Sequence, residues 1–530
     1  MANYFHYMKY GPVCKGESLM TETDREPIAT IMSLGGRPAG SEREIRIVDT
    51  TLRDGHQSLW ATRMRTDHML SMVDDFAAAG FEQVDLVAPI QFDVSVRYLK
   101  EDPWERVRLM HQSAPGQKFR ALIRSRNIAA FDFLADDIIE NWVDRLYANG
   151  FRVIGSFDGL NDYDNIVPGL IRAKQLGAST FGAVSFCESP VHTDELFVEK
   201  TIELIERADV DAIMLKDAGG LLTPERTRIL VPKLKAVMGD RPLEVHTHSM
   251  TGLSPLVYLE AVEGGADVLH TSIAPLANGT GQPSIQRVAK DLRALGYVVN
   301  VDDARVDAIS DRITEIAETE GKPVGVPMEY DGMHYMHQLP GGMLSNFHMQ
   351  LEVAGMSDRY EELLLETARV RAELAYPIMI TPFAQLVGTQ ALLNVIQGDR
   401  YSVVPDAVKK YALGYYGRLL APVKPDVLDR IIANGSPGIA MTPTPPAPVV
   451  GALRKAYPNL SDEERLLRFM FAGSQVDEML AQGPMITTYH FEKPVVRLLR
   501  ELSKRPRKAR IVVSKGSDRL ELGLSGQFER

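Results

Sequence analysis

Between Glu44 and about Tyr297 the chain alternates eight times between a short β-rich apolar run and a longer amphipathic segment. The candidate strands are 44–50, 83–88, 118–124, 151–157, 180–187, 211–216, 242–247 and 267–273. Most are bounded by Gly, Pro or Asp, and the segments between them are long enough for helices. Eight such units in roughly 250 residues match the count and length of a (β/α)8 barrel. A doubly wound sheet stays open as an alternative, because periodicity does not show closure. No Gly-rich phosphate fingerprint follows the first strand, which weighs against it.

Beyond residue 300 the pattern turns helical. Segments 303–320, 358–375, 384–398, 404–414 and 424–433 read as amphipathic helices, and Leu339-Pro-Gly-Gly-Met343 reads as a turn. Residues 435–450 form a Pro-rich linker that should be extended. Residues 461–482 read as helical, and 510–522 as a hairpin around Gly516. The expected organisation is therefore an extension over 1–43, with Met20 and Met32 as alternative starts, then a TIM-barrel domain over 44–300. A helical domain over 301–434, the linker over 435–450 and a C-terminal helical and hairpin region over 451–530 follow.

A chain of 530 residues with 45% hydrophobic residues can bury an ample core. Its net charge of −11 argues against non-specific binding to nucleic acid or to an anionic membrane. Cys14 and Cys187 are too few for a disulfide framework, so a reducing, cytoplasmic setting is expected. No run approaches the roughly 18 to 20 apolar residues of a membrane span. The first residues lack the basic-then-apolar layout of a signal peptide.

Three segments carry candidate chemistry. Asp49-Thr-Thr-Leu-Arg-Asp-Gly55 follows strand one, Leu215-Lys-Asp217 ends strand six, and Glu244-Val-His-Thr-His248 ends strand seven. Strand ends at one face of a barrel converge, so Asp54, His246 and His248 would meet there. His-Thr-His at i and i+2 on a strand points both imidazoles to one face. Two histidines and a carboxylate suit Zn, Mn, Co or Fe. The bland alternative for the pair is two structural histidines. Lys216 is ambiguous: protonated, it would pair with Asp217, whereas carbamylated it would be an anionic oxygen ligand.

These motifs, in this order, resemble those of the biotin-dependent carboxyltransferases, over most of residues 44–420 and more weakly to about 525. Thr51-Leu-Arg-Asp-Gly-His-Gln-Ser-Leu-Trp-Ala-Thr-Arg63 is similar to the family signature. Further similar segments are Phe92-Asp-Val94, Glu101-Asp-Pro-Trp-Glu-Arg106, Leu122-Ile-Arg124, Leu339-Pro-Gly-Gly-Met-Leu-Ser-Asn346, Ile380-Thr-Pro382 and Gln385-Leu-Val-Gly-Thr-Gln390. The resemblance implies a divalent metal (Zn, Mn or Co) held by Asp54, carbamylated Lys216, His246 and His248. It implies Arg124, Gln57 and Arg53 at the carboxylate and carbonyl of a 2-oxo acid, and Asp93 and Thr381 at biotin. Thr381 would relay a proton between the acceptor's methyl group and the ureido nitrogen of biotin. Read from the residues alone, Thr381 is a helix N-cap before Pro382.

The chain departs from the family near this pocket. Leu86-Val-Ala-Pro-Ile90 stands where a Trp-Gly-Gly-Ala segment is usual, and Ile154-Gly-Ser-Phe-Asp158 lacks an arginine expected after strand four. Phe131 stands for a hydroxylated aromatic, and Phe383-Ala384 for two serines. A larger or less polar acceptor than pyruvate follows as an expectation. No segment suited to biotinylation and no Gly-rich ATP-binding region are present. A separate biotin carboxyl carrier protein and a biotin carboxylase subunit are therefore expected partners, with a homodimer and a small-molecule carbonyl acceptor. Residues 451–530 are read as a docking element for the carrier or the dimer, or as a cap on the helical domain. The competing activities are a metal-dependent Claisen-type lyase or synthase of the related barrel superfamily and a non-catalytic scaffold. Ser249 after the His pair and the presence of Lys216 weigh against the lyase.

Overall fold

In the computed structural model of the protein, the eight candidate strands close into one parallel barrel. The structure describes residues 43–491 except 125, 129–132 and 354, together with 510–515 and 518–523. The strands are β1 Arg46–Asp49, β2 Gln83–Val87, β3 Phe119–Arg124, β4 Val153–Phe157, β5 Ser179–Ser185, β6 Ala212–Asp217, β7 Leu243–Thr247 and β8 Val268–Thr271. Strand β1 pairs with β2 on one side and β8 on the other, with Val48 opposite His270 and Asp49 opposite Thr271. That closure rules out the doubly wound sheet.

The strands are buried almost throughout, and amphipathic helices cover them. The helix Asp136–Ala148 shows why: Ile138, Ile139, Trp142, Val143 and Leu146 recur at helical spacing and all are buried. Trp142 packs edge-on to Phe92 at 4.5 Å and lies 5.0 Å from Trp104. Side-chain caps start several outer helices: Asp102 accepts from the amides of Trp104 and Glu105, Thr193 from Leu196, and Thr223 from Arg226. The helix Asp303–Glu320 joins this outer layer. Arg305 and Arg312 pair with Asp75 of the helix Val73–Ala78 at 2.9 and 3.1 Å.

The helices Gly341–Val353, Tyr360–Glu373, Phe383–Gln397, Asp406–Ala412 and Pro425–Asn434 build a second core. Leu339, Phe347, Leu363, Val370, Phe383 and Val387 fill it, together with Leu160 from the loop after β4. The second core is therefore continuous with the barrel mouth. The expected turn at 339–343 is the start of the helix Gly341–Val353, which the paired glycines conceal from a propensity reading. The expected helix over 461–482 is two helices, Asp462–Met470 and Gly473–Leu480, parted at Phe471, whose backbone is extended.

Over 451–487 the expected cap on the helical domain is instead a brace on the barrel flank. Glu463 accepts from Arg108 at 2.7 Å and from Asn149 at 2.6 Å, and Lys100 pairs with Glu478 at 2.6 Å. The linker has a turn over 437–438 before its proline-rich stretch, and the amides of Val449 and Val450, where the next helix starts, donate to Asp137. Within 488–530, the strands Arg510–Lys515 and Asp518–Gly523 pair antiparallel as a hairpin, with Lys515 opposite Asp518. Gly516, Phe131 and the extension 1–42 lie outside the described residues. No helix among the described residues is long and apolar enough to cross a membrane.

Candidate active site

Strand β1 ends on Asp49, whose carboxylate accepts from the amide and the hydroxyl of Thr51, each at 2.9 Å. A single wide helical turn over Thr51–Gly55 then swings Asp54 back over the barrel. Gly55 permits this turn, because a Cβ there would lie 2.8 Å from the carbonyl oxygen of Leu276. Asp54 Oδ2 lies 3.3 Å from both His246 Nε2 and His248 Nε2. Ser58 donates to Asp54 Oδ1 at 3.0 Å. Burial raises the Asp54 carboxyl, but Arg53 and the two histidines outweigh it and hold it well below the usual carboxylate range. Arg53 places Nη1 at 2.7 Å from Asp54 and Nη2 at 2.6 Å from Asp85.

The imidazoles are held by their other nitrogens. His248 Nδ1 donates to the carbonyl of Thr280 at 2.6 Å, which leaves its Nε2 lone pair facing Asp54. His246 Nδ1 lies 3.1 Å from His270 Nδ1, so its Nε2 faces the same point. Asp54, His246 and His248 present three ligand atoms within 4.8 Å of one another. Carboxylate oxygen with two imidazole nitrogens is a donor set that fits a first-row divalent cation. Gln282 accepts from Thr50 at 2.8 Å and turns its amide nitrogen to within 3.0 Å of His248 Nε2.

Lys216 Nζ lies 3.3 Å from His246 Nε2 and 5.4 Å from the centre of the Phe157 ring. Burial, and then Arg53, draw its ammonium down to about 8. The expected alternative, an ion pair with Asp217, is not made. Asp217 accepts instead from the amides of Leu221 and Leu222, each at 2.9 Å, and from the Thr247 hydroxyl at 2.7 Å.

Arg124 closes β3. Its Nε donates to the carbonyl of Asn127 at 2.9 Å, and among the described residues no carboxylate takes its Nη groups. Burial draws the guanidinium down to about 10, partly offset by Asp93, so it stays cationic at neutral pH. Asp93 pairs with Arg97 at 2.9 Å. Gln57 lies 3.5 Å from Gln91, which itself donates to the carbonyl of Arg53 at 3.0 Å.

Thr381 precedes the helix Phe383–Gln397 but does not cap it: Pro382 holds the cap position, without a side-chain bond. The Thr381 hydroxyl instead accepts from Gln385 Nε2 at 3.1 Å, which leaves its own proton to be given elsewhere. A Cβ on Gly159, in the loop after β4, would lie 2.5 Å from Phe383 and 3.3 Å from Ile380. Arg371 reaches the carbonyl of Glu188 after β5 at 3.0 Å, and His334 the carbonyl of Gly219 after β6 at 2.7 Å. The segment bearing Thr381 is thus laid across the C-terminal mouth that holds Asp54, Lys216 and the histidines.

Sequence reasoning did not single out Arg120, Glu244, His270, Thr280 or Gln282. The signal for the first three was a charged or imidazole side chain inside an otherwise apolar strand, where burial demands a partner.

A family model described as a conserved carboxylase domain matches residues 335–477, and one described as HMGL-like matches 164–313. A pyruvate carboxylase subunit of Methanocaldococcus jannaschii is 38% identical over 401 residues, covering 75% of this chain and 70% of that one. The methylmalonyl-CoA carboxyltransferase 5S subunit of Propionibacterium freudenreichii is 34% identical and covers 73% and 76%. The 2-oxoglutarate carboxylase large subunit of Hydrogenobacter thermophilus is also 34% identical, covering 75% and 61%. The carboxyl transferase domain of Rhizobium etli pyruvate carboxylase, solved with oxamate and biotin, matches with a TM-score of 0.76 at 26% identity. It covers 84% of this chain and 79% of that one.

Proposed function

The chain belongs to the biotin-dependent carboxyltransferases, and from that premise we propose that it transfers a carboxyl group between biotin on a separate carrier protein and the carbon next to the carbonyl (C3) of a 2-oxo acid. One observation carries the reading: the acid–imidazole cluster, Arg124 and the Thr381 segment are gathered at one mouth of the barrel. Relatives named for pyruvate and for 2-oxoglutarate support an acceptor of this class.

Asp54, His246, His248 and a carbamylated Lys216 would hold a divalent ion (Zn, Mn or Co). The ion, when bound, acts as a Lewis acid toward the acceptor's carbonyl oxygen. A lysine whose ammonium is drawn down by burial keeps a neutral fraction whose lone pair can add to CO2, losing one proton to give the carbamate. Arg124 would hold the acceptor's carboxylate through its Nη groups, bidentately. Arg53 orients Asp54 as well as facing the acceptor, and Gln57 lies beside it. Asp93 would help to hold biotin. The Thr381 hydroxyl, oriented by Gln385, would take a proton from the acceptor's methyl carbon while its own proton passes to the ureido nitrogen of biotin. The desolvated mouth strengthens each of these contacts.

On this reading 44–300 is the carboxyltransferase barrel and 301–434 completes its active site. The partners are a biotin carboxyl carrier protein and a biotin carboxylase subunit, and the enzyme works as a cytoplasmic homodimer. A second reading, an acceptor less polar than pyruvate, is favoured by two apolar contacts: Phe157 faces Lys216 at 5.4 Å, and Ile380 and Phe383 pack on Gly159.

The test is decarboxylation of oxaloacetate with free biotin, beside a panel of bulkier 2-oxo acids and ketones. Turnover of oxaloacetate that needs biotin, and that Thr381→Ala lowers about 100-fold or more, supports the first reading. Turnover of the bulkier compounds alone supports the second. Biotin-independent turnover untouched by Thr381→Ala overturns both.

A further inference from the structure

The interior of a (β/α)8 barrel is normally filled by layers of branched apolar side chains. Here a chain of buried polar groups runs through it. Arg120 on β3 lies with its guanidinium carbon 3.5 Å from the centre of the Phe181 ring and donates to Glu244 Oε2 at 2.9 Å. Glu244 on β7 takes His270 Nε2 at 2.9 Å, and His270 on β8 meets His246 at 3.1 Å between their Nδ1 atoms. All four side chains are buried. Glu244 and His246 stand two apart on one strand and so face the same interior.

The order of donors along this chain follows from its two ends. Glu244 is paired with Arg120 and therefore accepts, so His270 must carry its proton on Nε2. A neutral His270 protonated there has a bare lone pair on Nδ1. The close Nδ1 to Nδ1 contact is then a hydrogen bond only if His246 carries its proton on Nδ1. That leaves the His246 Nε2 lone pair directed at Asp54 and Lys216. An ion pair buried in this way costs desolvation that an apolar layer would avoid, and nothing in the barrel's closure requires it.

We propose that His270 is a positioning residue for the metal ligand His246, held in one tautomer by Glu244 and Arg120, so that His246 Nε2 is pre-set to bind a divalent cation. The inference rests on the reading of Asp54, His246 and His248 as a metal site. Metal-ligating histidines are commonly oriented by a partner on the other ring nitrogen, and loss of that partner costs about 10- to 100-fold in affinity. Here the partner is a second imidazole rather than the carboxylate itself.

The experiment is Co(II) binding to the full chain, followed by its visible absorption, in wild type, His270→Phe, His270→Asn, Glu244→Gln and His246→Ala, with thermal melting of each metal-free protein as a fold control. The expected result is a loss of about 10- to 100-fold in affinity and an altered Co(II) band for His270→Phe. His270→Asn, whose amide oxygen can accept from His246 Nδ1, should recover most of the affinity, and Glu244→Gln should fall between. Should the phenylalanine variant fail to fold, the asparagine and Glu244→Gln variants decide: an altered band in Glu244→Gln supports the relay, and wild-type binding in both overturns it. Wild-type binding and spectrum in His270→Phe, with binding abolished in His246→Ala, overturns the relay and leaves the metal reading standing. Absence of Co(II) binding to the wild type, or binding indifferent to His246→Ala, overturns the metal reading and the relay with it.

Discussion

Burial draws both cations at the barrel mouth down by a similar amount, but from different starting values. Desolvation first, and then Arg53, bring Lys216 from 10.5 to about 8, while desolvation brings Arg124 from 12.5 to about 10. At neutral pH the guanidinium stays charged and suits a carboxylate, whereas the lysine keeps a neutral minority that can react. An imidazole away from the Asp54, His246 and His248 cluster makes a sharper pH prediction. His192 is buried with Nδ1 against Ser189 Oγ at 2.7 Å, and burial, then Arg371, push it from 6.5 down to about 3. The unfolded chain therefore binds a proton that the folded chain refuses between those values. Its contribution to stability is complete above pH 6.5 and is lost as the pH falls toward 3, at up to about 1.4 kcal/mol per pH unit. His192→Asn, which keeps a polar atom facing Ser189 without a titrating ring, should flatten acid destabilisation over that window in urea melts taken at successive pH values. An unchanged slope would refute the assignment.

At the scale of elements, the loop after β4 and the segment leading into the helix Phe383–Gln397 share one contact. Gly159 leaves room for Phe383 and Ile380, and a Cβ would intrude to 2.5 Å from Phe383. Gly159→Ala should therefore shift Thr381 rather than the metal cluster. A displacement near 1 Å at a reacting group costs on the order of 100-fold in rate. The expected outcome is a fall in kcat of that order with Co(II) affinity retained, and partial recovery when Phe383→Leu is added. A loss of metal affinity in Gly159→Ala would count against this coupling. The helix Gly341–Val353 was missed for a related reason: glycine has poor helix propensity, and here the tertiary setting overrides it. Gly388 packs against Phe347 of that helix, where a Cβ would lie 2.3 Å from the ring, so the two helices approach closely only because position 388 is bare.

Across the whole molecule, the stretch 451–487 braces the barrel between the helices that follow β2 and β3, through Glu463 and Glu478. Glu463→Ala should lower stability by about 1 kcal/mol, since the pair with Arg108 is partly exposed. Hydrogen exchange should quicken in 451–487 while the barrel strands stay protected. Uniform loosening of the barrel would refute this division. The ladder of eight strands was legible because each is a short apolar run with its own punctuation, so local patterning sufficed to place all eight. That Asp54, Lys216, His246 and His248 meet at one mouth was legible because strand ends in a barrel converge, whatever the loops do. That the Thr381 hydroxyl leaves the cap position to Pro382 and accepts from Gln385 was not legible from its own residues, since Thr-Pro reads as a helix start.

The sequence by itself determined the eight strand-and-helix units and the residues offered at the strand ends, because periodicity and strand-end chemistry act over a few neighbouring residues; closure into a barrel was decided by the tertiary structure. Tertiary structure alone decided which nitrogen of each imidazole faces the site, what Asp217 binds in place of Lys216, and that Arg120, Glu244 and His270 form one line. Arg120 and Glu244 are 124 residues apart, and their contact exists only because the barrel closes and brings alternate strands across its axis. Inside that dry interior a polar group without a partner is costly, so the partners found across the barrel, rather than those adjacent in the chain, fixed the geometry.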